Sequence, residues 1–153
     1  MNIRVAKSSD LDGILPLVQS VWTSVKSSLD LYLQFSDMDN DSSVMFVAEE
    51  HNIYIGFASV GLRFEYIEGT KTLPVAYLEG IAVKEEYTSK GVGKALINMC
   101  EKWAKEHCCT EFASDCSVDN VAGEQFHKAI GFKEVRRNIA RIQGIIAEQN
   151  SAE

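Results

Sequence analysis

Between Tyr77 and Leu96 the chain reads Tyr77-Leu-Glu-Gly-Ile-Ala-Val-Lys-Glu-Glu-Tyr-Thr-Ser-Lys-Gly-Val-Gly-Lys-Ala-Leu96. An apolar strand ends near Val83, a short polar turn follows, and two glycines spaced by one residue open a helix. The first N–H groups of a helix have no acceptor within it, and together with its dipole they form an anion site. Gly91 and Gly93 let an anion approach the backbone, and Lys90 and Lys94 add positive charge. Thr88, Ser89 and Val92 complete the loop. The third glycine of the dinucleotide-binding fingerprint is absent, as is the GxxxxGK[ST] of a P-loop. The plain alternative is a helix start that merely contains glycine. The long strand before it and the amphipathic helix after it favour the anion site.

The remaining pattern places this unit in a mixed fold. Asn2 to Ala6 alternates as a short strand. Ser9 and Asp10 offer helix caps, and Leu11, Ile14, Leu15, Val18, Val21, Trp22 and Val25 recur at helical spacing, with Pro16 early in the stretch. A second helix is predicted over Ser28 to Phe35. Asp37 to Ser43 reads as a polar loop; its aspartates resemble the start of a calcium loop, but Ser42 and Ala48 stand where glycine and glutamate are needed. Val44 to Glu49 and Ile53 to Phe64 form a hairpin around His51-Asn52, and Leu73 to Val83 a further strand after a Glu68-Gly69 turn. Gly91 to His107 is an amphipathic helix, with Trp103 in the core. Glu111 to Cys116 is a strand, Asn120 to Ile130 a helix, and Phe132 onward a last strand. This order predicts an α/β (α+β) class with a central mixed sheet.

At 153 residues, with no linker or repeat, the chain fits a single domain over 1–153. Net charge is −7, the wrong sign for a nucleic-acid binder but suited to a cationic small molecule. There is no basic-then-apolar leader and no apolar run of about 18 residues, so no membrane association is expected and the cytoplasm is the default location. Cys100, Cys108, Cys109 and Cys116 show no CxxC spacing; they read as reduced thiols, and no metal is expected.

On these residues the chain resembles the GNAT acetyltransferase superfamily. Thr88-Ser-Lys-Gly-Val-Gly93 matches that family's Q/R-x-x-G-x-G/A pyrophosphate loop, with Thr88 in place of Arg or Gln. Asp119-Asn120 through Phe126-His-Lys-Ala-Ile-Gly-Phe132 resembles its last motif. A closer similarity, to bacterial aminoglycoside 6′-N-acetyltransferases, is carried by Phe64-Glu-Tyr-Ile-Glu-Gly-Thr70, Tyr77-Leu-Glu-Gly-Ile81, Trp103-Ala-Lys105, Thr110-Glu-Phe-Ala-Ser-Asp115 and Asp119-Asn120. The departure is Asn138 to Gly144, which lacks the aromatic pair usual there. The resemblance implies a mostly antiparallel sheet flanked by helices, with one splayed strand pair. It also implies acetyl-CoA as cosubstrate, an aminoglycoside 6′-amine as acceptor, and a homodimer. Another polyamine, amino sugar or peptide N-terminus as acceptor, or an inactive acetyl-CoA-binding regulator, are the alternatives.

Acetylating an amine requires attracting its ammonium form, removing a proton and protonating the leaving thiol. Glu79 and Asp115 are carboxylates in otherwise apolar strands, where an unpaired charge is costly. If those strands splay apart, as the resemblance implies, Glu79 serves as base and acceptor ligand and Asp115 binds an ammonium group. The alternative for both is a solvated face. The resemblance gives the amides of Ile81 and Val83 to the pantetheine and the thioester carbonyl. His127, four residues before Gly131, stands where many GNAT enzymes carry a tyrosine acid; it is a candidate acid or coenzyme contact, the alternative being a structural histidine. Asn120 either caps its helix or binds the coenzyme. Trp22 and Tyr66 are candidate walls of the acceptor site, with nearby Glu65 and Glu68; for Trp22 the competing reading is helix core.

Overall fold

The computed structural model describes residues 1–38, 41–135, 137 and 143–145. In chain order the elements are β1 (Asn2–Val5), α1 (Leu11–Gln19), α2 (Ser28–Met38), β2 (Ser43–Glu50), β3 (Ile53–Arg63), β4 (Val75–Val83), α3 (Val92–Glu106), β5 (Phe112–Ser114) and α4 (Val121–Ala129). The strands lie side by side in that order, β1 to β4 antiparallel and β5 parallel to β4. This is the mixed sheet flanked by helices that the sequence predicts. β2 turns into β3 at His51 and Asn52, with φ of 52° and 63°, the two-residue geometry whose twist suits a hairpin.

Two cores sandwich the sheet. On one face α3 lays Val92, Leu96, Ile97, Cys100 and Ala104 against Phe46, Ala48, Ala58, Val60 and Leu78, with Trp103 half-buried at the edge. On the other face Ile14 and Val18 of α1 and Leu31 of α2 pack with Val47 and Phe57, all fully buried. Burying each such side chain contributes about 1.5–3 kcal/mol.

β1 is tied to α1 by an ionic knot. Asp10, 2% exposed, accepts from Arg4 Nη1 at 2.8 Å and Nη2 at 2.7 Å, from the Lys7 amide at 2.7 Å and from the Tyr54 hydroxyl at 2.6 Å. The Arg4 guanidinium, helped by the Tyr54 and Lys7 donors, holds the Asp10 carboxyl well below the usual carboxylate range despite burial.

Several boundaries differ from the sequence pattern. α1 ends at Gln19 rather than continuing to Val25, with Pro16 inside it. The Trp22 amide still donates to the Val18 carbonyl at 2.8 Å, but the chain then leaves the helix axis and turns the indole onto the sheet. α2 runs on to Met38 instead of ending at Phe35. Over 132–135 no strand forms; instead the Phe132 ring meets Phe112 and His127 edge-on, each 5.3 Å between centroids. The rest of that predicted strand, 138–142, lies outside the described residues, as do 39 and 40 of the polar loop. Among the described residues no helix is long and apolar enough to cross a membrane.

Candidate active site

The site begins where β4 and β5 part. β5 pairs with β4 only at Ala76↔Phe112, Tyr77↔Ala113 and Leu78↔Ser114. Beyond Leu78 that edge of β4 has no strand partner among the described residues. On its other edge the register slips: Val60 faces Leu78 and Ser59 faces Gly80, so Glu79 is an extra residue, a β-bulge. The slip reverses which way the amides point. Ala76 donates toward β5, to the Glu111 carbonyl at 3.1 Å, whereas Lys84 donates toward β3, to the Ile55 carbonyl at 2.7 Å. In an unbroken strand these two amides, an even number of residues apart, would point the same way. After the bulge, therefore, the amides of Ile81 and Val83 face the open edge.

At the far end of β4 the chain enters the glycine loop. Thr88 closes the preceding turn, its hydroxyl donating to the Glu85 carbonyl at 2.8 Å, which leaves that side chain partnered within the loop. Ser89 (φ 62°) and Gly91 (φ 83°) are left-handed, and Gly91 precedes α3 with no side chain capping it. The first amides of α3, from Val92 through Lys94, thus lack both intrahelical acceptors and a cap. Lys90 lies over the Tyr87 ring at 5.3 Å, and Lys94 is exposed. A Cβ on Gly91 would meet nothing, so that glycine answers to its φ; a Cβ on Gly93 would sit 2.6 Å from the Phe126 ring. The missing side chain at Gly93 thus also lets α4 close onto α3.

Glu79 and Asp115 belong to one constellation. Arg63, at the end of β3, donates to both Glu79 oxygens, Nε at 3.0 Å and Nη2 at 2.9 Å. Its guanidinium also lies 4.4 Å from the centroid of the Tyr77 ring. Burial, followed by the negative charge of Asp115 and a hydrogen bond with it, pushes the Tyr77 phenol up to about 12. The phenol therefore stays protonated at neutral pH. Glu79 raises the Arg63 guanidinium above its usual range in turn. Arg63 and Tyr77 were not among the sequence candidates. An arginine directly before the FEYIEG segment and a tyrosine two before the glutamate were the available signals, but only the strand pairing brings them together.

Trp22 lines this cluster. Its indole N–H donates to the Glu79 carbonyl at 3.1 Å, and its ring meets Phe57 edge-on at 5.5 Å. Gly80 is small because a Cβ there would lie 2.9 Å from Trp22 Nε1. Gly80→Ala should displace the indole, shift its fluorescence and raise acceptor KM by about tenfold; steady-state kinetics and emission spectra check both. Tyr66 is 69% exposed in the segment after β3, while neighbouring Glu65 reaches Arg63 at 3.7 Å.

Behind the parting point, His127 Nδ1 lies 2.6 Å from the Gly123 carbonyl and Nε2 lies 2.7 Å from Ser114 Oγ. A carbonyl only accepts, so Nδ1 carries a proton, and in the neutral ring Nε2 accepts from the Ser114 hydroxyl. Asn120 caps α4, Oδ1 accepting from the Gly123 amide at 2.9 Å. Among the described residues no cluster of three or more potential metal ligands occurs. The arrangement offers bare amides for an anionic chain in the gap, carboxylates and aromatic faces for a cation beside it, and a histidine–serine pair that can exchange a proton.

Residues 11–132 match the model of the acetyltransferase (GNAT) family. Aminoglycoside N(6′)-acetyltransferase type 1 of Acinetobacter haemolyticus is 35% identical over 137 residues, 90% of this chain and 94% of that one. Among solved structures, aminoglycoside antibiotic 6′-N-acetyltransferase AAC(6′)-IG from Acinetobacter haemolyticus superposes with a TM-score of 0.86 at 33% identity, covering 95% of this chain and 100% of the other. AAC(6′)-Iy in complex with the bisubstrate analogue CoA-S-monomethyl-acetylneamine gives 0.83 at 30% identity, covering 94% and 98%. With the splayed sheet and its amide-lined edge in place, the chain belongs to the acetyltransferase (GNAT) family.

Proposed function

We propose that this protein transfers the acetyl group of acetyl-CoA to the 6′-amine of an aminoglycoside, by direct attack of the amine in a ternary complex. The observation that carries this reading is the parting of β4 from β5 after Leu78 and Ser114, with free amides along the gap and two carboxylates beside it. The similarity to a protein solved with a CoA–acetylneamine analogue supports the same pair of substrates.

Acetyl-CoA supplies the acetyl group as a thioester. The residues present fit it: the Ile81 and Val83 amides continue β4 toward a pantetheine chain, and the turn of residues 88–94 presents Ser89, Lys90, Gly91, Val92, Gly93 and Lys94 to the pyrophosphate. Asn120, the cap of α4, is a further coenzyme contact. An aliphatic amine with a pKa near 10 is neutral in only about one molecule in 10³ at pH 7. Glu79 draws in the ammonium and takes its proton. Asp115 and the Tyr77 ring hold a second ammonium or a sugar face, with Trp22 and Tyr66 as walls. His127 holds its Nδ1 proton against Gly123, so Nε2 is the atom that exchanges a proton, with Ser114 Oγ as its partner. When the ring also carries a proton on Nε2, the Ser114 hydroxyl gives its proton to the departing thiolate and regains one from Nε2, which leaves the neutral ring. The homodimer rests on the same family resemblance.

Consumption of acetyl-CoA with kanamycin, tobramycin, spermidine and a short peptide tests the reading. Turnover is expected with the two aminoglycosides at a kcat/KM at least about tenfold above the others. Turnover confined to the peptide contradicts it.

A further inference from the structure

The space assigned above to the acceptor's ammonium already holds a cation of this chain. The Arg63 guanidinium forks onto both oxygens of Glu79 at 3.0 and 2.9 Å. It lies 4.4 Å from the Tyr77 ring centroid, and its Nη1 is 3.7 Å from Glu65. Carboxylates around an aromatic face are what a protein presents to an organic ammonium ion. The Arg63 and Glu79 side chains are 35% and 31% exposed, so water reaches the pair and weakens it. Arg63 also stands at the end of β3, where the chain leaves the sheet for a largely exposed segment.

We infer that Arg63 is an internal competitor for the acceptor: it occupies Glu79 in the free protein and must release it before an amine reaches that carboxylate. The inference rests on the acceptor reading given above. It makes Arg63 a positioning residue that sets acceptor affinity. An acceptor that binds only the released form has its apparent affinity reduced by the fraction of molecules in which Glu79 is free. The same competition favours acceptors whose additional ammonium groups find Asp115 and Glu65 once Arg63 has moved. The strength of the latch depends on the fork, because a lysine ammonium cannot reproduce two parallel bonds to one carboxylate.

Kinetics of R63K and R63Q with kanamycin separate this role from simpler ones. R63K keeps the charge and loses the fork, so acceptor KM should fall about threefold; in R63Q it should fall about tenfold, with the KM for acetyl-CoA unchanged in both. If Arg63 only props Glu79 in place, both variants lose kcat and acceptor KM does not fall. If it acts only through net charge, R63K leaves acceptor KM unchanged. Either result overturns the inference. A second measurement needs no turnover: ethylguanidinium should refill the space in R63A, giving a saturable change in Trp22 fluorescence that the unsubstituted protein does not show. Absence of saturation in R63A overturns the inference. Saturation there, beside an unsubstituted protein that acetylates no aminoglycoside, retains the competitor and rejects the acceptor reading.

Discussion

Glu79→Gln is expected to lower kcat about a hundredfold while changing acetyl-CoA affinity by less than about twofold. Glutamine keeps the size of the side chain and retains one oxygen for Arg63, but its amide cannot take a proton from an ammonium. The β-bulge makes the comparison clean. Glu79 is the residue without a β3 partner, so its side chain is replaced without touching the register on either side. The amides of Ile81 and Val83 remain where they are, and coenzyme binding reports on them alone. Single-turnover kinetics with a saturating aminoglycoside give the chemical rate directly. A kcat within about twofold of the unsubstituted protein would remove Glu79 from the base role and leave it as a cation ligand only.

Asp10→Ala should destabilise the fold by about 2–3 kcal/mol and lower Tm by roughly 5–10 °C. The carboxylate is almost wholly buried and satisfies Arg4, Tyr54 and the Lys7 amide at once; its removal takes this acceptor from the Tyr54 hydroxyl and the Lys7 amide and leaves Arg4 with Glu49 as its carboxylate partner. The figure lies below that for a fully buried ion pair because the Arg4 side chain is 30% exposed. The pH dependence follows from the direction of the shift. The Asp10 carboxyl titrates lower in the folded chain than in the unfolded one, where it has the usual value near 3.9. Its contribution is therefore complete above about pH 5 and is lost as pH falls below about 4. Denaturant midpoints of the two proteins should converge through that acid window and stay apart at neutral pH. A constant separation down to pH 2 would contradict the knot as the source of the difference.

The parts of this molecule legible in its sequence are those fixed by local pattern. His51-Asn52 announces a tight hairpin because few residue pairs take two positive φ values, and both do. The strand–glycine–helix unit is visible because its apolar spacing changes period at the turn. What was not legible depends on pairing between strands. Nothing in Leu78-Glu-Gly80 marks Glu79 as an extra residue, yet that bulge turns the Ile81 and Val83 amides outward and aims the carboxylate. Arg63 and Tyr77 stay hidden for the same reason, being fourteen residues apart in sequence and joined only by the β3–β4 register. The helical spacing up to Val25 misled because Trp22 and Val25 are apolar for contacts made after the helix has ended. The loop pattern also hides a second constraint on Gly93, because a Cβ there would meet Phe126, a residue 33 positions later.

The central claim is that the edge of β4 past Leu78, with the first turn of α3, is where the coenzyme lies. Amide-resolved hydrogen exchange, with and without coenzyme A, tests it most directly. Protection should appear at Ile81, Val83 and Val92 through Lys94 and leave the amides of the β2–β3 hairpin unchanged. Coenzyme binding without protection at Ile81 and Val83 would contradict the account.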